Sequence, residues 1–312
     1  MTEVVYPGRA FFGDRFDEVY YVVSCMAPGL CLDIGAAAGK GTFKLAKGSP
    51  ASRVIAFEPF AGNHPFFHNN TKYFANVELV PKAVSDFDGI GRLFVHSTLR
   101  GTEQNWEGYE GYSSNGMLVS DSDPRFNDSK ASEISVCKVD STVNEHVRFM
   151  KIDVQGAEAA VIEGAQHTIK EHGIDVIYVE FEGEQPIIDV LLRNDYVLID
   201  SGNYVYSQKR PGWPPERVSS ALEPSTVSSG RAVHKGWIVD RPLPLTDYLD
   251  WIRSPGQFSL YTDICAVHRD AFPEFMTAAA RRMSGIRDAG LAKSKAAASD
   301  RVALQNHDHP AS

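Results

Sequence analysis

In CLDIGAAAGKGT, residues 31–42, an apolar run ends on Asp33 and nearly every side chain then disappears. Gly35 and Gly39 can take up positive φ, and with Ala36, Ala37 and Ala38 they keep a surface shallow enough for backbone to approach a ligand. Glu58, followed by Pro59, comes about 20 residues after the loop, the separation at which a carboxylate receives the two hydroxyls of a ribose. Asp33 can accept hydrogen bonds from a ligand or from the loop's own amides. These are the parts of a nucleoside site. The plainer alternative is a packing turn, with Glu58 serving only the dipole of the following helix.

The spacing excludes two common nucleotide sites. A phosphate-binding P-loop needs GxxxxGK[ST], but GAAAGKGT is one residue short and puts Gly41 between Lys40 and Thr42. The dinucleotide fingerprint GxGxxG fails because Ala37 and Lys40 occupy its second and last glycine positions. What remains is a ligand with an adenosine and no phosphate. S-adenosylmethionine meets that description, since its amino-acid part can bond to the loop and its sulfonium tolerates carboxylates.

Other residues carry chemistry with a structural alternative beside it. Lys151 lies within the apolar run VRFMKIDVQ, where burial without a partner is costly, so it is expected to meet a carboxylate, with Glu180 as the candidate. Glu180 and Glu182 share one strand face and read as substrate-binding acids or as a solvated strand end. Glu158 opens a helix, so it serves the dipole or catalysis. His64 and His68, four apart, face one way on a helix, but no third metal ligand presents itself. Trp106, with Tyr109 and Tyr112, either closes over a substrate or packs a loop.

These residues need a frame. LCLDIG (30–35), RVIAFEP (53–59), VELVPKAVS (77–85), VRFMKIDVQ (147–155) and IDVIYVEFE (174–182) read as strands. Helices are expected near 41–48, over 62–74, and through AEAAVIEGAQHTIKEH. The alternation predicts an α/β fold with a doubly wound, mostly parallel sheet. GIGRLFVHS (89–97) reads as an extra strand and QFSLYTDICAVHRDAF (257–272) as a late one. The organisation expected is an N-terminal helical or extended segment over 1–29, a domain over 30–272 with insertions at about 98–133 and 202–256, and a C-terminal helix and tail over 273–312. Residues 98–133 show no clear periodicity.

Composition narrows the classes. A formal charge of −9 and the lack of a basic run argue against nucleic acid as a partner. No stretch approaches the roughly 20 apolar residues of a membrane span, and the N-terminus lacks the pattern of a signal peptide. The cysteines, Cys25, Cys31, Cys137 and Cys265, have no CxxC spacing, which fits a reducing cytoplasm, with Cys31 and Cys137 buried in apolar strands.

LDIGAAAGKGT, VIAFEPF, HNN, VELVPKAVSDFDG, KVDS, FMKIDVQGAEAAVIEGA and IDVIYVEFE, in this order, resemble the FkbM family of S-adenosylmethionine-dependent methyltransferases. The likeness runs from about Leu30 to Ile199 and more weakly through 258–268. Its most specific element is KIDVQGAE, which matches the family's K-x-D-x-x-G-x-E. The resemblance implies the class I (Rossmann-like) methyltransferase sheet, seven strands with the last antiparallel, and methylation of hydroxyls on polyketides, sugars or other small molecules. By position, Asp33, Gly35, Ala36 and Gly39 would line the methionine part of the cofactor, Glu58 would hold the ribose, and Ser85 and Asp86 would face the adenine. Thr42 and Pro59, in the same two loops, join the cofactor set. Asp153 would stand close to the methyl group. The triple alanine departs from the family, which more often shows Asn or a larger residue there, and 98–133 and 202–256 match nothing in it.

The chemistry implied is in-line methyl transfer from sulfur to a hydroxyl of a small molecule or glycan, an O-methylation that needs a base. Asp153 is the first candidate, with His96 and His234 as alternatives. A divalent metal is left open by Asp153 and the nearby acids, without ligand spacing to support it. A nicotinamide-dependent oxidoreductase shares the strand, loop and acid, but the missing glycine and KIDVQGAE oppose it. A non-catalytic nucleoside-binding scaffold is the third reading.

Overall fold

The computed structural model describes residues 17–95, 116–119, 131–181, 184–200, 205–206, 259–260 and 262–281. The strands are β1 (Leu30–Ile34), β2 (Arg53–Phe57), β3 (Val77–Val80), β4 (Ala83–Val84), β5 (Gly89–Val95), β6 (Gly116–Val119), β7 (Ala131–Cys137), β8 (Val147–Ile152), β9 (Ile174–Phe181), β10 (Tyr196–Asp200), β11 (Val205–Tyr206), β12 (Ser259–Leu260) and β13 (Thr262–His268). Seven of them form one sheet in the order β10-β13-β9-β8-β1-β2-β3. Strands β3, β2, β1, β8 and β9 run parallel, and β13 is antiparallel to both β9 and β10. This is the α/β, Rossmann-like sheet expected, and its last strand runs against its neighbours.

The order reverses between β1 and β8. The winding proceeds outward from β1 to β3, then returns to the other side of β1. Such a switch point opens a crevice beyond the carboxyl ends of the two central strands. The central strands are buried on both faces, as their continuous apolar runs require. Leu32, Ile34, Met150, Ile152, Ile177 and Val179 face one core layer, and Cys31, Phe149, Val176 and Tyr178 face the other. Helix Asp17–Val23 covers the second layer beside helix Lys40–Gly48, with Tyr20 edge-on to Phe149 and Tyr178. No described helix is long and apolar enough to cross a membrane.

Four elements differ from the sequence expectation. The run 77–85 is not one strand: β3 ends at Val80, Pro81 has no N–H for the ladder, and Ala83–Val84 turns away into a second sheet of order β4-β7-β5-β6. Residues 116–119 and 131–133, within the stretch read as lacking periodicity, supply strand residues to that second sheet. The helix expected through 172 ends its regular turns at Glu163 and resumes as a wider π turn over Thr168–His172. Gly164 marks the break, since a Cβ there would lie 2.0 Å from the carbonyl oxygen of Ser85. The helix after Glu58 is likewise shorter, a 3-10 turn over Ala61–Asn63 leading into His64–Thr71. Cys31 and Cys137 are buried thiols, as expected.

Candidate functional site

The glycine loop leaves β1 in a shape that only small residues allow. Gly35 and Gly39 both have φ near 79°, and Ala37 has φ 48°. A Cβ on Gly35 would meet the carbonyl oxygen of Asp153 at 1.8 Å, so the loop rests directly on the end of β8. Gly35 N and Ala36 N both donate to Phe57 O at 3.0 Å, which binds the loop to the end of β2. Gly41 has a separate reason: a Cβ there would crowd Tyr20 Oη and Asp33 Oδ2.

Glu58 holds the loop from the other side. Its Oε2 accepts from Ala37 N at 2.7 Å and its Oε1 from Phe60 N at 2.8 Å. The left-handed backbone of Ala37, which costs a non-glycine residue of order 1 kcal/mol or more, is thus held by a buried carboxylate. Burial raises the pKa of Glu58, while the amides of Phe60 and Ala37 and the side chain of Asn63 oppose that rise. Pro59 is half-buried beside it. Asn70 donates to Ala38 O at 2.8 Å, and His64 Nε2 lies 2.8 Å from Glu58 O. His64 therefore serves the β2 loop, and among the described residues no three His, Cys, Asp or Glu side chains are grouped to hold a metal.

Asp33 and Thr42 have no exposed surface. Thr42 Oγ1 donates to Asp33 Oδ2 at 2.6 Å, tying the first helical turn to β1. Lys151, next to Asp33 in register, donates to Gly35 O at 2.7 Å and sits 3.4 Å from both Asp33 Oδ1 and Asp153 Oδ2. The expected partner, Glu180, is not the one it meets. Asp153 follows Lys151 by two on the same strand face, and Asp33 is its cross-strand neighbour, so both lie closer. Burial disfavours the ammonium, yet Asp153, Asp33 and Tyr20 outweigh it and hold the lysine above its usual range.

Past Lys151, the ends of β8 and β9 and the start of β13 bring carboxyl groups together. Asp153 is 43% exposed in its side chain. Glu180 and Asp263 are cross-strand partners. Burial, reinforced by Asp153, Asp263 and Glu158, pushes Glu180 up to about 9, and a side-chain hydrogen bond joins it to Asp153. Gln155 Nε2 donates to Asp153 Oδ1 and to Glu180 Oε2, both at 3.0 Å. Glu158 is 3% exposed and accepts from Val154 N and Gly156 N, both at 2.9 Å. Its carboxyl is raised by burial against the pull of those amides. Glu158 thus clamps the turn that carries Gln155.

Ser85 is buried at the end of β4, its N–H on Cys137 O at 3.0 Å and its hydroxyl on Asp86 Oδ1 at 3.2 Å, while Asp86 is exposed. The structure therefore gathers Asp33, Gly35, Ala36, Gly39, Thr42, Glu58, Asp153 and Glu180 at the switch point. His96, Trp106, Glu182 and His234 lie outside the described residues. Sequence reasoning passed over Gln155, Asp263 and Asn70. Gln155 stands within KIDVQGAE itself, Asp263 is an acid inside an apolar strand, and Asn70 belongs to HNN, so each had a visible signal.

No curated protein matches the chain. Similar solved structures include methyltransferase FkbM from Methylobacillus flagellatus KT, at 15% identity and TM-score 0.35, over 56% of this chain and 39% of that one, so the match spans well under two thirds of that protein. Precorrin-6y C5,15-methyltransferase from Geobacter metallireducens GS-15 is similar at 15% identity and TM-score 0.34, over 59% and 73% of the two chains. An rRNA methylase from Streptococcus thermophilus is similar at 12% identity and TM-score 0.32, over 63% and 88%. The FkbM methyltransferase domain matches residues 33–198, just over half of the sequence, from Asp33 within β1 into β10. The chain belongs to the FkbM family of methyltransferases.

Proposed function

We propose that the protein is an S-adenosylmethionine-dependent O-methyltransferase acting on a hydroxyl of a small molecule or glycan. The residues at the switch point fit that cofactor. The backbone around Ala36 and Ala37 is shallow, Glu58 stands at the end of β2, and the carboxyl groups nearby outnumber Lys151, the cation they share. Such surroundings favour a sulfonium and disfavour a pyrophosphate. When bound, S-adenosylmethionine supplies a methyl group already activated on sulfur. Glu58 would hold the ribose and the 35–39 backbone the methionine part, with Ser85 and Asp86 toward the adenine. Asp33 and Thr42, being enclosed, would act by shaping the loop. The net charge of −9 supports an acceptor other than nucleic acid.

The observation that carries the reading is Asp153. Its carboxylate is part-exposed at the end of the central strand, fixed by Lys151 and Gln155, and next to the glycine loop. There it can take the proton of an acceptor hydroxyl at its exposed edge, a role worth about 10²–10⁴-fold in rate. The test incubates purified protein with isotopically methyl-labelled S-adenosylmethionine and a metabolite extract, then searches by mass spectrometry for labelled products heavier by one methylene. Asp153→Asn is expected to lower turnover within that range while changing cofactor affinity far less. Full turnover by the variant would remove Asp153 from the chemistry, and label on carbon or nitrogen would overturn O-methylation.

A further inference from the structure

The turn between β8 and the helix Glu158–Glu163 is built around one side chain that the proposed chemistry has not used. Gln155 has φ 58°, a left-handed conformation that an L residue rarely adopts. The amides on either side of it, Val154 N and Gly156 N, are both taken by Glu158. That clamp aims the Gln155 amide across the strand ends, where its single NH₂ group reaches Asp153 Oδ1 and Glu180 Oε2 at 3.0 Å each. A neutral amide can donate to two carboxyl groups at once, which neither a carboxylate nor an aliphatic side chain can do.

We propose that Gln155 is a positioning residue that yokes Asp153 to Glu180, so that the proton leaving the acceptor hydroxyl is received by the two carboxyl groups as one unit. This rests on the O-methyltransferase reading and adds to it a residue and a proton path. In the transfer, the carbon–sulfur bond breaks with its electron pair passing to sulfur. The acceptor oxygen forms the new bond to carbon, and its proton goes to the pair. Several groups face Glu180. They are Asp153 just past β8, Asp263 on β13 and Glu158 on the helix, with Lys151 and Asp33 behind Asp153 and Glu184 beside Glu158. All but Lys151 are acids, so Glu180 is held well above the usual carboxylate range and keeps its proton at neutral pH, beside Asp153 to which it is hydrogen-bonded. A cation brought to Asp153 drives that proton off. A neutral thioether in the same place does not.

The test is calorimetric titration of the full chain with S-adenosylmethionine and with S-adenosylhomocysteine, in buffers of different ionisation heat, from pH 6 to 9. Protons exchanged by the ligands' own groups cancel between wild type and variants. The expected result is that S-adenosylmethionine releases up to about one proton more from wild type than from Glu180→Gln. In Gln155→Leu the carboxylates lose a donor to their charged forms, so the maximum of release moves to higher pH by about one unit. S-adenosylhomocysteine binding reports that each variant has kept its site. A second measurement needs no ligand. Glu180 is raised above its unfolded value, so its contribution to stability is present at low pH and lost as pH rises toward 9. Denaturant stability of wild type should therefore fall with pH more steeply than that of Glu180→Gln. Release curves for Gln155→Leu and wild type that superimpose, or equal release from Glu180→Gln, would overturn the yoke while leaving the methyltransferase reading intact. Failure of wild type to bind either compound would instead overturn the reading beneath it.

Discussion

Three oxygens share the Lys151 ammonium: the carbonyl of Gly35 and one carboxylate oxygen each from Asp33 and Asp153. The lysine thus joins the wall of the proposed cofactor site to its proposed base. Lys151→Met removes the countercharge of a fully enclosed Asp33, and losing one partner of a buried pair costs about 3–5 kcal/mol. Urea denaturation near pH 7 should show that loss, and a stability within 1 kcal/mol of wild type (about a fivefold change in equilibrium) would mean that Asp33 is satisfied otherwise. At this scale the sequence was half legible. An ionisable residue in an apolar strand must have an opposite charge nearby, and that much was readable. Which acid it meets depends on the register of β1 against β8, information absent from the spacing along either strand.

Among the elements, the strands were legible because apolar β-branched runs alternate with helical patterns, and the carboxyl end of each run predicted where its acid would stand. The breaks were legible in part. Pro81 stands in the run it interrupts and acts through its own missing N–H, whereas Gly164 acts through a neighbour distant in sequence, the helix after β8 opening where it passes Ser85. A methyl group at residue 164 has no room, with the nearest backbone oxygen at 2.0 Å. Gly164→Ala is therefore expected to destabilise by roughly 1–3 kcal/mol despite the better helix propensity of alanine. It should also weaken S-adenosylmethionine binding, because Ser85 must shift. A thermal melt at or above wild type would show that the helix can move aside freely.

Across the whole molecule, the two ends of the sheet do different work. The carboxyl ends of the parallel strands hold the candidate site. The amino ends are tied by ions: Arg148 bonds Asp175 and Glu274, His146 reaches Asp175 at 3.0 Å, and Glu274 also accepts from Ala27 N at 2.7 Å. Glu274 belongs to the helix over 272–281, so this network fastens the chain after β13 beneath β8 and β9. Glu274→Ala should cost about 0.5–1 kcal/mol, since Glu274 is part-exposed, the Ala27 amide can turn to water and Arg148 keeps Asp175. Cofactor affinity should be unchanged, because some five strand residues, about 16 Å, separate the two ends. A matching loss of affinity would show that the ends are coupled.

Glu58 is fixed by the protein itself, in the place where the proposed ribose contact needs it. Two backbone amides and the Asn63 side chain already fix its carboxylate, and an ionised carboxyl group offers about four acceptor positions, leaving about one for a sugar hydroxyl. The side chain surrendered its rotational freedom when the chain folded. In the proposed complex, capture of the sugar immobilises nothing further on the protein side, and affinity that a mobile glutamate would lose to ordering is retained.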